Sequence, residues 1–163
     1  MLIAIVADTH LPHGARRLSQ QCLAHLRSAE LILHAGDLST VSALDELSAL
    51  GPPVLAVHGN VDEHALVERL PAQLELEIDR VRVAMIHDAG PARGRLLRLR
   101  RRFPRADAVV FGHSHIPLLD ADAAFQIFNP GSPTDRRRQR HHTMGLARVG
   151  DGELDFEHVR LGR

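Results

Sequence analysis

The sequence contains no lysine, tryptophan or tyrosine, and its only cysteine is Cys22. A lone cysteine excludes an internal disulfide and removes the usual mark of a small secreted scaffold. No apolar run approaches the roughly 20 residues that a membrane-spanning helix requires. The stretch from Met1 to Ala7 is apolar but short, lacks a basic flank and runs directly into Asp8. It reads as a first strand and not as a signal peptide. These absences predict a cytoplasmic protein with no membrane association. Net charge is missing too: 20 basic residues, all of them arginine, balance 20 acidic ones. That balance gives no global attraction to nucleic acid or to a lipid surface. Repeats, low-complexity tracts and linkers are also lacking. A length of 163 residues suits one domain, expected to span 1–163.

What the chain does have is 44% apolar residues, enough to fill one core, and 12 histidines, a high number for this length. The runs Leu2 to Ala7, Glu30 to His34 and Ala108 to Phe111 read as buried strands, and Val54 to Val57 as another strand. Arg16 to Arg27, Ser42 to Leu50, Glu63 to Arg69 and Pro91 to Arg102 read as helices, the second stopped by Gly51-Pro52-Pro53. Leu74 to Ile78 and Val81 to Ile86 flank Asp79-Arg80, and Thr143 to Val149 and Glu153 to Val159 flank Asp151-Gly152; both pairs predict hairpins. Phe125 to Phe128 is a further strand, closed by Asn129-Pro130-Gly131. Strand–helix alternation in the first half implies parallel strands with crossover helices, and the hairpins of the second half imply antiparallel ones. An α/β fold with mixed sheets and outer helices accommodates both.

The polar residues fall at one kind of place. Asp8-Thr9-His10, His34-Ala35-Gly36-Asp37, His58-Gly59-Asn60, His87-Asp88 and Gly112-His113-Ser114-His115 each follow a predicted strand. Ligands of open α/β sheets bind outside the carboxyl ends of the strands, so these segments are expected to converge on one rim. Asp8 and His10, like His113 and His115, are two apart, and in extended chain such residues face the same side. Gly36, Gly59 and Gly112 adjoin them and permit sharp turns or close backbone approach. Taken singly, Asp8, Asp37 or Asn60 is as well explained as a turn residue or helix cap. Taken together, carboxylate, imidazole and amide oxygen without thiolate form a metal-ligand set. It suits Mn, Fe, Zn or Ni, and is richer in imidazole than Ca or Mg favours.

In motif order, Asp8-x-His10, Gly36-Asp37, Gly59-Asn60, His87 and Gly112-His113-x-His115 resemble the calcineurin-like metallophosphoesterase superfamily. The likeness runs from Met1 to about Ser132. The small size and Asn129-Pro130-Gly131-Ser132 resemble its compact bacterial and archaeal phosphodiesterase branch, to which the small retromer subunit is related. The resemblance implies a four-layer αββα sandwich of two mixed β-sheets flanked by helices. It implies two divalent metal ions, manganese first, with nickel, zinc, iron or magnesium as alternatives. Asp8, His10 and His115 would hold one ion, Asn60, His87 and His113 the other, and Asp37 would bridge them. Asp37, Asn60 and His113 are the ligands expected to act in catalysis. Such a pair of ions would hold a hydroxide that attacks the phosphorus of a small phosphate ester in line.

The chain departs from the family pattern where Val61-Asp62 follows Asn60, since many members place a histidine there to help the leaving group. His58 and Asp62 are the candidate substitutes, and His13, near His10, is a candidate for substrate contact. Asp88 stands where relatives often have glycine, and either supports a ligand or shapes the turn. His34 is expected in the core, and His25, His64, His141, His142 and His158 on the surface. Arginines crowd two segments, Arg93 to Arg105 and Arg136 to Arg140. Both are expected to be solvated, with Arg136 the first candidate for phosphate contact. A nuclease using the same centre is one alternative function, weakened by the shortage of stacking aromatics. A metal-stabilised protein-interaction scaffold like the small retromer subunit is the other. Oligomeric state is not legible.

Overall fold

The computed structural model describes residues 1–122 and 124–162. The chain runs β1 (Leu2–Val6), a 3-10 turn (His13–Ala15), α1 (Gln20–Ser28), β2 (Leu31–His34), α2 (Val41–Ser48), β3 (Val54–Ala56), α3 (His64–Arg69), β4 (Gln73–Ile78), β5 (Val81–Ile86), α4 (Arg95–Arg102), β6 (Ala108–Val110), β7 (Leu118–Asp122), β8 (Phe125–Asn129), β9 (His142–Gly150) and β10 (Glu153–Leu161). Ser19 caps α1 through its hydroxyl on the Cys22 amide, and Thr40 caps α2 on that of Ala43. Each such cap is worth about 1 kcal/mol.

The strands form two five-stranded sheets, ordered β10-β9-β1-β2-β3 and β4-β5-β6-β8-β7. In the first, β1, β2 and β3 are parallel, with the β9–β10 hairpin added antiparallel at β1. In the second, β5, β6 and β8 are parallel, and β4 and β7 are antiparallel edges. Period-2 alternation explains the layering. Ile3 and Ile5 of β1 face Val83, Met85, Val110 and Phe128 of the other sheet, while Ala4 and Val6 face Cys22, Leu26, Ala43 and Leu66 of α1, α2 and α3. Leu99 and Phe103, from α4 and its end, cover Val109 and Ile127 on the far side. The result is the four-layer αββα arrangement.

The differences from expectation have local causes. α4 begins at Arg95 because Gly94 is left-handed, at φ 67°, and sets the preceding turn, closed by the Arg95 amide on the Ala92 carbonyl, apart from the helix. β7 was not predicted; apart from half-buried Leu118 it is an exposed edge with no alternating apolar pattern to betray it. The second half is also less antiparallel than its hairpins imply, because α4 serves as a crossover that sets β6 parallel to β5. Among the described residues no helix is long and apolar enough to cross a membrane.

Candidate metal centre

The segments after β1, β2, β3, β5 and β6 meet at one rim. Asp8, His10, Asp37, His87 and His115 are buried there, whereas Asn60 and His113 are exposed. The backbone that delivers them is not extended. Asp8, His10, Asp37, His113 and His115 all have positive φ, between 46° and 67°. For residues with a Cβ this region costs of order 1–3 kcal/mol each, a concentration of strain that marks a site held for chemistry. The expectation that extended chain aligns Asp8 with His10, and His113 with His115, is therefore corrected: left-handed turns aim these side chains. Gly59 shows why glycine adjoins them, since a Cβ there would collide with the Asp37 carboxylate, and at Gly36 (φ 93°) one would collide with the His87 ring.

Two groupings result. His10 Nε2 lies 3.2 Å from His115 Nε2, and His115 Nε2 lies 3.6 Å from Asp8 Oδ1. Asn60 Oδ1 lies 3.0 Å from His87 Nε2 and 2.9 Å from His113 Nδ1. Asp37 Oδ2 sits between them, 3.9 Å from His10 Nε2 and 3.3 Å from His87 Nε2. Asp8 also belongs with Asp37 and His87, within 4.8 Å, so both carboxylates are central. His113 and His115, neighbours in sequence, serve different groupings.

The donor chemistry fits cations. The Nδ1–H groups of His87 and His115 donate to the carbonyls of Ala35 (2.8 Å) and Asp135 (2.6 Å). That fixes the tautomer and turns each Nε2 lone pair into the site. At His87 this lone pair would face only oxygens of Asp37 and Asn60, an arrangement that calls for a positive charge between them. Burial opposes charge on His87, but its hydrogen bond to Asp37 and the charges of Asp37 and Asp8 outweigh burial and raise its pKa. Asp8 Oδ2 is buried with no hydrogen-bond partner. Burial pushes the Asp8 carboxyl up to about 7. Burial also acts upward on Asp37, but the hydrogen bond and charge of His87 overcome it and hold Asp37 down at about 2. His10 and His115 are depressed mainly by burial, which favours the neutral, metal-binding form.

A layer behind these side chains holds the loops. Asp62 accepts amide hydrogens from Ser39 (2.6 Å), Gly59 (2.7 Å) and Asp37 (3.1 Å), so it clasps the Asp37 loop to the Asn60 loop. Its oxygens are turned to backbone and not toward a substrate, contrary to the expectation that it assists a leaving group. Ser132 Oγ donates to the Asp8 carbonyl at 2.7 Å, and Asn129 Nδ2 to that of Gly112 at 2.8 Å, as expected of a loop held near the site. Asp88 shapes its turn, accepting from the Gly90 amide at 2.7 Å.

The remaining candidates lie outside this cluster. His13 is exposed at the 3-10 turn, and half-buried His58 has Nδ1 3.4 Å from its neighbour's carbonyl, that of Gly59. Arg136 folds back onto the Gln139 carbonyl at 2.7 Å, and it is Arg137 whose charge is felt at Asp8 and His115. The supports Asp135 and Arg16, ion-paired at 3.0 Å, carry no sequence signal of their role. His34 is in the core as expected, its Nε2 3.0 Å from Thr9 Oγ1, and burial pushes it down to about 3. His158 is not the surface residue expected: it is half-buried, stacks on Phe128 and donates to the Asn129 carbonyl at 2.8 Å. His25 and His142 are half-buried as well, against the same expectation. On α4, Arg95 and Arg98 hold the carbonyls of Gly90 and Ala89, and Arg100 pairs with Asp122.

The family model for the calcineurin-like phosphoesterase superfamily domain matches residues 1–152. A probable metallophosphoesterase of Methanothermobacter thermautotrophicus is 38% identical over 164 residues, with 99% of this chain and 94% of that protein covered. Another, from Methanocaldococcus jannaschii, is 36% identical over 137 residues, covering 82% and 69% respectively. Among solved structures, Vps29 from Entamoeba histolytica complexed with zinc superposes with a TM-score of 0.79 at 22% identity, over 98% of this chain and 99% of that one. A structure described as a novel archaeal phosphodiesterase does so at 0.73 and 19%, over 98% and 100%. At these identities the structural likenesses speak to the fold.

Proposed function

Because the chain belongs to the calcineurin-like phosphoesterase superfamily, we propose that it is a hydrolase of phosphate esters, a binuclear metal-dependent phosphodiesterase in a single metallophosphoesterase domain. One observation carries this reading: Asp37 Oδ2 lies between His10 and His87, at the junction of two ligand groupings, with a carboxylate oxygen of Asp8 within 4.8 Å of Asp37 and His87. Asp8, His10 and His115 would hold one divalent ion, Asn60, His87 and His113 the other, and Asp37 would serve both. Manganese is the first candidate. When bound, such a pair neutralises phosphate oxygens and makes a water acidic enough to act as nucleophile near neutral pH.

The chain's own residues set the rest. Asn60 and His113 form the exposed side, where an ester can enter. Arg137 adds positive charge near Asp8 and His115, which favours an anionic substrate. No proton donor follows Asn60: Val61 is apolar and Asp62 is engaged with three amides. Val61 and Ile116, which follow Asn60 and His115, are about half exposed, at 46% and 50%. An apolar rim without an acid favours esters whose leaving group is apolar and departs as a stable anion. The arginines of α4 that hold carbonyls or pair with Asp122 are poorly placed to form a nucleic-acid track, which disfavours the nuclease alternative.

A hydrolysis screen tests this. Metal-free protein receives Mn, Ni, Zn or Mg and is offered aryl and alkyl phosphodiesters and monoesters. Aryl diesters should be turned over fastest. Full metal occupancy with no hydrolysis of any ester would rule the reading out in favour of a scaffold.

A further inference from the structure

A cavity lies behind the metal centre. It opens between α1 and α2 on the outer side of the first sheet and encloses about 330 Å³, within the range of small-molecule sites. Its walls are aliphatic, with Leu18, Leu23, Leu38, Leu47 and Leu50 among them, and no phenylalanine lines it. Its floor is His34 and Thr9, both buried; the Gly36 amide donates to His34 Nδ1, so His34 Nε2–H donates to Thr9 Oγ1. Its lips are charged: Arg16 and Arg17 come before α1, and Glu46 stands on α2. Arg16 is paired with Asp135. Among the described residues exposed Arg17 makes no ion pair, and its Nη1 donates only to the Arg16 carbonyl.

These features select a ligand chemistry. Aliphatic walls without an aromatic offer contact but no stacking, which suits a flexible hydrocarbon chain over a planar ring. At the mouth neither Arg17 nor Glu46 makes an ion pair among the described residues, and with Arg16 next to it Arg17 can bind a single carboxylate through paired N–H groups. We propose that this cavity binds a free straight-chain monocarboxylate, with its tail between α1 and α2 and its head on Arg17. The site shares walls with the metal centre, since Thr9 separates Asp8 from His10 and Leu38 follows Asp37.

The test is calorimetric titration of the full metal-free chain with hexanoate, octanoate and decanoate. Each added methylene that enters the cavity should tighten binding by about fourfold. Decyltrimethylammonium, with the same tail and opposite charge, should bind at least about tenfold more weakly. Leu23→Glu, which sets a carboxylate in the wall, should abolish decanoate binding. Arg17→Glu, an exposed change that should leave the fold intact, should weaken it by about tenfold or more, whereas Arg17→Lys should keep most of it and Glu46→Gln should tighten it. Asp37→Ala should bind decanoate normally, so the proposal stands or falls apart from the phosphoesterase reading. Affinity independent of chain length, equal binding of the ammonium amphiphile, or unchanged binding in Arg17→Glu would overturn it. Decanoate-sensitive co-sedimentation with phosphatidylglycerol vesicles would overturn the assignment to a free acid in favour of a lipid chain.

Discussion

The two halves of the candidate metal centre are built differently. Asp8, His10 and His115 are buried, and two of them are held from behind: the Asp8 carbonyl by Ser132 and His115 Nδ1 by the Asp135 carbonyl. Of Asn60, His87 and His113, only His87 is buried; Asn60 and His113 face solvent and meet chiefly through the Asn60 amide oxygen. A buried, carboxylate-containing half should bind its ion tightly and exchange it slowly. An open half with an amide oxygen should bind more weakly and leave a face for substrate. The asymmetry teaches that one set of ligands separates two tasks, retention and access.

The sharpest way to break this comparison is to remove what the halves share. Asp37→Ala should lower hydrolysis by at least about a thousandfold, the scale of losing a principal catalytic group. Metal stoichiometry by elemental analysis should fall from two toward one, with the buried half retained. Equal loss from both halves would show that they are one unit. Asp62→Ala loosens the Asn60 loop of the open half together with the loop of the shared Asp37. The second equivalent of metal should bind about 10–100-fold more weakly, while the first, which keeps three buried ligands besides Asp37, should weaken less. A competition titration with a chelating dye reads both steps.

The halves were not equally legible in the sequence. The ligand types, their strand-end positions and the adjacent glycines are local features, and periodicity placed the strands that carry them, so Asp8-x-His10 and His113-x-His115 stood out. Four-layer packing was legible through the family resemblance alone, since Leu2 to Ala7 is a continuous apolar run and only the structure turns Ile3 and Ile5 to one core and Ala4 and Val6 to another. What the sequence hid is what depends on distant chain. Asp62 reads as a candidate acid until its oxygens are seen on amides more than twenty residues away in sequence. Arg136 and Arg137 are indistinguishable neighbours until one folds onto Gln139. The expectation of extended ligand segments was incorrect because the pattern reports spacing and not backbone hand.

Beneath the buried half, His34 gives a pH test. Its pKa is held down to about 3 by burial, so the folded state keeps it neutral while the unfolded chain protonates near 6.5. Its stabilising contribution is complete above about pH 6.5 and is lost as pH falls toward 3, at about 1.4 kcal/mol per pH unit. Between pH 7 and pH 5 this amounts to about 2 kcal/mol. Chemical denaturation of metal-free protein should show His34→Gln with a shallower acid slope than the wild type by that amount. Identical slopes would mean that His34 does not anchor the buried half in its neutral form.

The smallest effects should be the most discriminating, because they compare one residue type in the two halves. His115 is 1% exposed and its Nδ1–H satisfies the Asp135 carbonyl. His115→Ala in metal-free protein should cost about 1–3 kcal/mol, from the lost packing and the unpaired carbonyl. His113 is exposed and its ring contacts Asn60 at the surface, so His113→Ala should change stability by no more than about 0.5 kcal/mol. Yet the small change should still remove the second metal equivalent, as its partner removes the first. If urea unfolding instead finds the two substitutions equally costly, the open half is as much a part of the folded core as the buried one, and the separation of retention from access fails at the level of the apoprotein.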